Sequence, residues 1–321
     1  MRVLVTGGAG FIGAHTCRAL AARPEVGHIT VLDDLSSGSL ANLDGVEAEV
    51  VTGSILDRDL LTDLVAGVTH VIHLAARPSV PRSLLDPMAS HSVNATGSLN
   101  VLEACRAGRP HLILASSSSV YGDRPEQHKH EELPTRPLSP YGAGKLAMEA
   151  YALAYAHSFG LPVLPFRFFN VYGPLQAAGH AYAAVIPAFV SAALRGEPVP
   201  LHGDGHQARD FTYVESVTQV LVDAAVRRVT SMSPVNLAFG TRVSLRHVME
   251  VLSAVLGRPV ESVTLPPRAG DIHQSQASPH LLHELFPGVR PVPLEEGIRA
   301  TVTWFEKTSA SAVDAGLGAH A

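Results

Sequence analysis

Arg2-Val3-Leu4-Val5-Thr6-Gly7-Gly8-Ala9-Gly10-Phe11-Ile12-Gly13 is the stretch on which the reading of the whole chain turns. A short apolar run rich in β-branched residues has the character of a buried parallel strand. It runs straight into a turn with four glycines, Gly7, Gly8, Gly10 and Gly13, and then a helical pattern from Ala14 to Ala22. A glycine-rich turn between strand and helix lets backbone N–H groups approach a pyrophosphate at the helix N-terminus. The motif has the strand-turn-helix context that separates it from a chance glycine pattern. A second strand, His28 to Leu32, ends at Asp33, placed where a carboxylate accepts hydrogen bonds from an adenosine ribose and selects NAD over NADP.

The alternation continues outward. Glu49 to Thr52, Thr69 to Leu74 and His111 to Ala115 have strand patterns, and Asp57 to Val65 and Asn94 to Ala107 helical ones. Alternating strands and helices predict an α/β, Rossmann-type doubly wound parallel sheet with ligands at the strand carboxyl ends. Ser116-Ser117-Ser118-Ser119-Val120-Tyr121-Gly122 follows one such end as a loop. Beyond it, Ser139-Pro140-Tyr141-Gly142-Ala143-Gly144-Lys145 sets a tyrosine and a lysine four residues apart, on one face of a helix continued by Ala147 to Phe159. An ammonium beside a phenol stabilises the phenolate, and a phenolate near neutral pH is a general base.

Composition bounds the alternatives. The chain has 321 residues, 46% hydrophobic and 17% charged, enough for two lobes of a globular protein. A net charge of −5 carries no footprint for nucleic acid or an anionic membrane surface. No stretch approaches the roughly 18–20 apolar residues of a membrane span, and the N-terminus lacks a signal-peptide pattern. Two cysteines, Cys17 and Cys105, offer neither a disulfide framework nor a metal cluster, which suits a reducing cytosol. The 17 histidines include His70-x-x-His73 and His128-Lys129-His130, neither of which has a third ligand by spacing, so no metal is expected. Only three of the 24 basic residues are lysines, an arginine bias that points to a GC-rich bacterial genome.

These residues, with His73-Leu74-Ala75-Ala76, Asn94-x-x-Gly97, Arg167-Phe168-Phe169-Asn170-Val171-Tyr172-Gly173-Pro174, Gly203-Asp204-Gly205-x-x-x-Arg209-Asp210 and Arg268-x-Gly270-Asp271, resemble the extended short-chain dehydrogenase/reductase family. The likeness runs from Thr6 to about Phe305 and is strongest to the NAD-dependent nucleotide-sugar epimerases and dehydratases. It implies that NAD is held by Gly7, Gly10, Phe11, Ile12, Gly13, Asp33, Ser54, Ile55, Leu74, Ala75, Ala76 and Asn94. An aspartate often found after the third strand is replaced here by Ser54-Ile55, which leaves adenine to a backbone contact. By the same resemblance Tyr141 is the base, Lys145 holds the nicotinamide ribose while lowering the phenol's pKa, and Ser117 bonds the reacting sugar hydroxyl. Tyr121 shapes the sugar pocket. Asn170 and Arg209 meet the diphosphate, and Arg268 with Asp271 meets phosphate and nucleotide ribose. Ser79, Val80, Arg82, Ser118, Ser119, Val185, Ile186, Leu201 and Ser275 complete a UDP-sugar site, with Ser275 small enough to admit a bulky sugar substituent, and the resemblance implies a homodimer.

The same resemblance frames the reaction. Dehydratases of the family carry acidic residues where Ser118 and Ser119 stand, and serine cannot replace them as acid and base. A UDP-hexose 4-epimerase is therefore expected, acting on UDP-glucose, UDP-N-acetylglucosamine or UDP-glucuronate. A 4,6-dehydratase or 4-keto reductase and, more remotely, a non-catalytic NAD sensor are the alternatives. Residues 1–170 are expected to form the NAD-binding domain, to which later segments return. Residues 171–307 form the substrate lobe, with a helix from Ala181 to Leu194 interrupted near Pro187, one from Leu245 to Leu256 and one from Leu294 to Phe305. Residues 308–321 read as a disordered tail.

Overall fold

The computed structural model describes residues 1–178, 183–266 and 274–314, with 274–275 and 309–314 described in the backbone alone. Seven strands form one wholly parallel sheet: β1 (Arg2–Thr6), β2 (His28–Asp33), β3 (Glu49–Thr52), β4 (His70–His73), β5 (His111–Ser117), β6 (Val163–Phe168) and β7 (Val235–Leu237). Their spatial order is β7-β6-β5-β4-β1-β2-β3. The chain winds from β1 to β3 on one side, then returns to place β4 on the other side of β1. That reversal opens a crevice at the carboxyl ends of β1 and β4, where α/β sheets bind ligands.

The two-residue period of the strands divides the core into two faces. Val3, Val5, Ile72, Ile113 and Phe166 point one way, against α1 (Phe11–Ala21) and a helix at Val214–Arg227. Leu4, Val71, Leu112, Leu114 and Val163 point the other way, against helices at Arg58–Val65, Ser98–Gly108 and Pro140–Phe159. Cys17 and Cys105 are buried one on each side, where burial pushes both thiols up to about 12. They pack as small apolar groups.

A second core, built on Ile186, Phe189, Leu201, Leu252 and Ile298, belongs to the second half of the chain. It joins helices Val185–Leu194, Leu245–Leu256 and Leu294–Asp314 with the parallel pair Val199–His202 and Ser262–Leu265. Three expectations need correction here. Pro187 does not interrupt its helix: it is the third residue of Val185–Leu194, where backbone N–H groups have no intrahelical acceptor to lose. The last helix runs to Asp314, well past Phe305. Ser116 and Ser117 are strand residues at the end of β5, followed by a single 3-10 turn at Ser118–Val120 rather than a loop.

The glycine turn is fixed by crowding. Gly7 has φ of +73°, and a Cβ there would lie 2.6 Å from the Ala75 nitrogen. A Cβ on Gly13 would lie 2.1 Å from the Gly7 carbonyl oxygen. Gly13→Ala must push α1 off the Gly7-Gly8 turn, and overpacking of this kind costs about 1–3 kcal/mol. Thermal unfolding is expected to show a lowered melting temperature and a weakened stabilisation by NAD. Unchanged values for both would mean that the crossing is looser than the structure has it.

Candidate active site

A cleft of about 1080 Å³ lies across the carboxyl ends of β1, β2, β4 and β5 and reaches into the second lobe. That exceeds the roughly 300–1,000 Å³ of a pocket for one drug-sized ligand. Gly7, Gly10, Phe11, Ile12 and Gly13 line one end. The helix that starts there has no capping side chain and no acidic residue in its first turn. Its positive end and unpaired N–H groups therefore face the cleft. Asp33 lies beside it at the end of β2, its carboxylate accepting the N–H groups of Ala9 and Leu35 at 2.9 Å each. Burial raises the Asp33 carboxyl above the usual range, against the pull of those backbone donors. A crowded glycine cradle, an open helix end and a fixed carboxylate are together the donor set that a dinucleotide requires.

The other elements meet deeper in the cleft. The Pro140–Phe159 helix starts at Ser139, whose hydroxyl accepts the Gly142 N–H at 3.1 Å. A Cβ on Gly142 would stand 2.8 Å from the Ser119 carbonyl oxygen, and one on Gly144 would stand 3.0 Å from the Asn94 Cβ. The helix can thus lie directly on the serine turn, and Tyr141, Lys145 and Ser117 all line the cleft. Ser117 accepts the Ser119 N–H at 3.1 Å and donates to the Ser119 hydroxyl at 3.0 Å. Tyr141 is held above its ordinary pKa by burial, opposed by a hydrogen bond with Ser117. Lys145 donates to the Ala115 carbonyl at 2.7 Å, and burial pushes it down to about 8. The Lys145 ammonium is held on the Ala115 carbonyl of β5, one helical turn along from the phenol.

Leu74, Ala75, Ala76, Ile55, Ser79, Val80, Arg82, Asn170, Val185, Ile186 and Arg209 also line the cleft. Several expected residues stand elsewhere. Asn94 is fully buried and holds the wall from behind, accepting the Arg77 N–H at 2.9 Å and donating to the Arg77 carbonyl at 3.0 Å. Ser54 uses its hydroxyl on the Leu56 N–H at 3.2 Å, and the flanking Gly53 and Ile55 face the cleft instead. Ser118 and Ser119 form the turn behind Ser117 and are not in the lining. Leu201 is packed in the second core, while its strand neighbours Pro200 and His202 line the cleft, as alternation along a strand demands. Tyr121 is buried beneath the serine turn and does not shape the cleft directly. Arg268 and Asp271 lie outside the described residues, and Ser275 is placed only by its backbone, paired with Arg209.

Sequence reasoning missed Gln176. Its amide nitrogen donates to the Val171 carbonyl at 3.2 Å, which fixes the orientation of the amide. Its Oε1 is buried without a partner among the described residues, in the lining of the cleft. A buried acceptor left unpaired calls for a donor. The only cue in the sequence is the position of Gln176 two residues after Gly173-Pro174. No group of metal-ligating side chains is found among the described residues.

The chain is 38% identical to a UDP-glucose 4-epimerase of Mycolicibacterium smegmatis, covering 96% of this chain and 100% of the other. It is 34% identical to a probable UDP-glucuronate 4-epimerase of Rhizobium meliloti, covering 96% and 97% of the two. The structure of a UDP-N-acetylglucosamine 4-epimerase from Methanobrevibacter ruminantium, in complex with UDP-N-acetylmuramic acid, superposes with a TM-score of 0.90 at 35% identity, covering 96% of this chain and 98% of that one. The profile of the NAD dependent epimerase/dehydratase family matches residues 3–238. With its glycine cradle, Asp33 and the Tyr141-Lys145 pair in one cleft, the chain belongs to that NAD-dependent family of enzymes.

Proposed function

We propose that the protein is a 4-epimerase of UDP-hexoses that works by transient oxidation of the sugar at C4. One observation carries this reading: the only carboxylates among the described residues lining the cleft are Asp33 and Asp34, both at the end of β2. Elimination of water across C5 and C6 needs an acid and a base beside the sugar. The end of β5, where the family's dehydratases carry that pair, offers Ser117 backed by Ser118 and Ser119. Epimerisation needs neither group. It needs one base, a hydride acceptor, and room for the 4-keto sugar to turn while the diphosphate stays held.

In this reading Ser117 holds the C4 hydroxyl, and the Tyr141 phenolate removes its proton as hydride leaves C4. NAD supplies the hydride acceptor and, when oxidised, a positive charge that favours the phenolate. Lys145, anchored on Ala115, would hold the nicotinamide ribose, and Asp33 would hold the adenosine ribose. Asn170 and Arg209 hold the diphosphate. After the sugar turns, Tyr141 returns the proton to the C4 oxygen and hydride returns to the opposite face. No residue must be regenerated at the end of the cycle.

Gln176 favours a neutral hexose. Its unpaired Oε1 requires an N–H or O–H donor, which a C6 hydroxyl or an N-acetyl group set against it supplies and a C6 carboxylate set against it does not. A homodimer fits Leu84, Leu85 and Met88, which are 62%, 73% and 74% exposed on two short helices, Val80–Leu85 and Pro87–His91. A reducing cytosol fits two cysteines that are both free.

NMR of incubations with UDP-hexoses is expected to show C4 epimers alone. A 4-keto-6-deoxy product would sink the reading. Tyr141→Phe is expected to bind UDP-sugar normally and lose about 10²–10⁴-fold in turnover. Full activity in that variant would remove Tyr141 as the base. Assayed side by side, UDP-glucose and UDP-N-acetylglucosamine are expected to turn over faster than UDP-glucuronate, and the reverse order would remove the role given to Gln176. Light scattering is expected at the mass of two chains, and a monomer at all concentrations would contradict the dimer.

A further inference from the structure

Tyr141, Lys145 and Glu149 succeed one another at four-residue spacing on the Pro140–Phe159 helix, so they form one stripe. The first two line the cleft and the third does not. Glu149 is 4% exposed, and its carboxylate reaches two neighbouring strands at once. Its Oε2 accepts the Ser116 hydroxyl at 2.9 Å and the Arg167 Nε–H at 3.0 Å, while its Oε1 accepts from Arg167 Nη2 at 2.5 Å. Ser116 and Arg167 are direct partners in the β5–β6 ladder, one residue before Ser117 and Phe168. Both of those line the cleft.

The joint extends beyond the carboxylate. Arg167 lies 4.7 Å from the ring centroid of Tyr121, in the turn after Ser117, and donates to the Glu131 carbonyl at 3.2 Å. The Tyr121 hydroxyl donates at 2.7 Å to Asn236 on β7. A single carboxylate therefore ties together the helix that carries Tyr141, the strand that ends in Ser117 and the strand that leads to Asn170. Stability alone gives little reason for a buried ion pair here, since apolar residues of similar volume often serve a core as well. Charge-assisted bidentate bonds supply what apolar packing lacks, a set direction and spacing.

We propose that Glu149 is a positioning residue of the reaction: acting through Ser116, it sets the distance and angle between Ser117 and Tyr141. This rests on the reading of Tyr141 and Ser117 as the pair that oxidises C4. Misplacement by about 1 Å of a group that orients a reactant costs on the order of 100-fold in rate. The cost falls on kcat, because the groups that hold the diphosphate are untouched.

The test uses the full-length, NAD-loaded enzyme with steady-state kinetics on a UDP-hexose, alongside thermal unfolding. Ser116→Ala removes one hydrogen bond and leaves the ion pair in place. It is expected to lower kcat about 3- to 10-fold with KM unchanged, less than the loss expected when Glu149 itself is changed, because the two bonds to Arg167 keep the carboxylate in place. Glu149→Gln is expected to lower kcat by roughly 10- to 100-fold. Because Glu149→Gln leaves Arg167 buried and unpaired, Glu149→Met combined with Arg167→Met removes both charges while keeping apolar volume. That double variant is expected to fold and retain NAD yet stay slow, whereas a merely structural role predicts that it regains the wild-type kcat. Wild-type kcat in Ser116→Ala, or in the double variant, would overturn the proposal, as would losses confined to KM. A wild-type enzyme that moves no hydride with any UDP-hexose would remove the epimerase reading and this proposal with it, so the two failures are distinct.

Discussion

Gly7 and Gly13 approach main-chain atoms so closely that a Cβ on either would fall 2.6 Å from the Ala75 nitrogen or 2.1 Å from the Gly7 oxygen. This contact sits where the strand order reverses between β1 and β4, and it lets three elements converge on bare backbone. With no side chains between them, the start of α1 presents its N–H groups to the cleft, and Asp33 reaches across to the Ala9 N–H. The site for the dinucleotide follows from that crowding together with the topology that produces it.

The same device recurs at the reacting end. Gly142 and Gly144 let the Pro140–Phe159 helix lie on the serine turn and on Asn94, which brings Tyr141 to Ser117. Below that contact Glu149 and Arg167 tie the helix to β5 and β6. Above it the second lobe supplies Asn170, Arg209 and Gln176 to the cleft. A rigid floor with one base, under a wall lined by hydroxyls and amides, suits a reaction whose intermediate must turn without being intercepted. Among the described residues no carboxylate lines the cleft beside Tyr141, as the proposed reaction requires.

What was legible in the sequence was what backbone and spacing determine. Glycine turns, strand ends and a four-residue helical pair leave local signatures, so the NAD side of the cleft and the Tyr141-Lys145 pair were readable in advance. Residues positioned by long-range packing were not. Whether Leu201 or His202 faces the ligand depends on the register of Val199–His202 against Ser262–Leu265, and an offset of one residue reverses the answer. The orphaned Gln176 oxygen exists only because Val171 takes the amide nitrogen, and no pattern announces that. The partner of Lys145 is likewise a main-chain carbonyl of β5, invisible to spacing arguments that pair side chains with side chains. The Val214–Arg227 helix was legible and was passed over: Val217, Val220, Leu221 and Ala224 repeat at helical spacing and are buried, while Glu215, Gln219 and Asp223 lie opposite.

The central claim is that C4 is oxidised and then reduced by the same hydride within one closed cleft. The most direct measurement uses UDP-glucose deuterated at C4, with the fate of the label followed by NMR. The account predicts UDP-galactose that retains the deuterium at C4. Loss of the label to solvent, or its appearance at C6 of a 6-deoxy product, would contradict it.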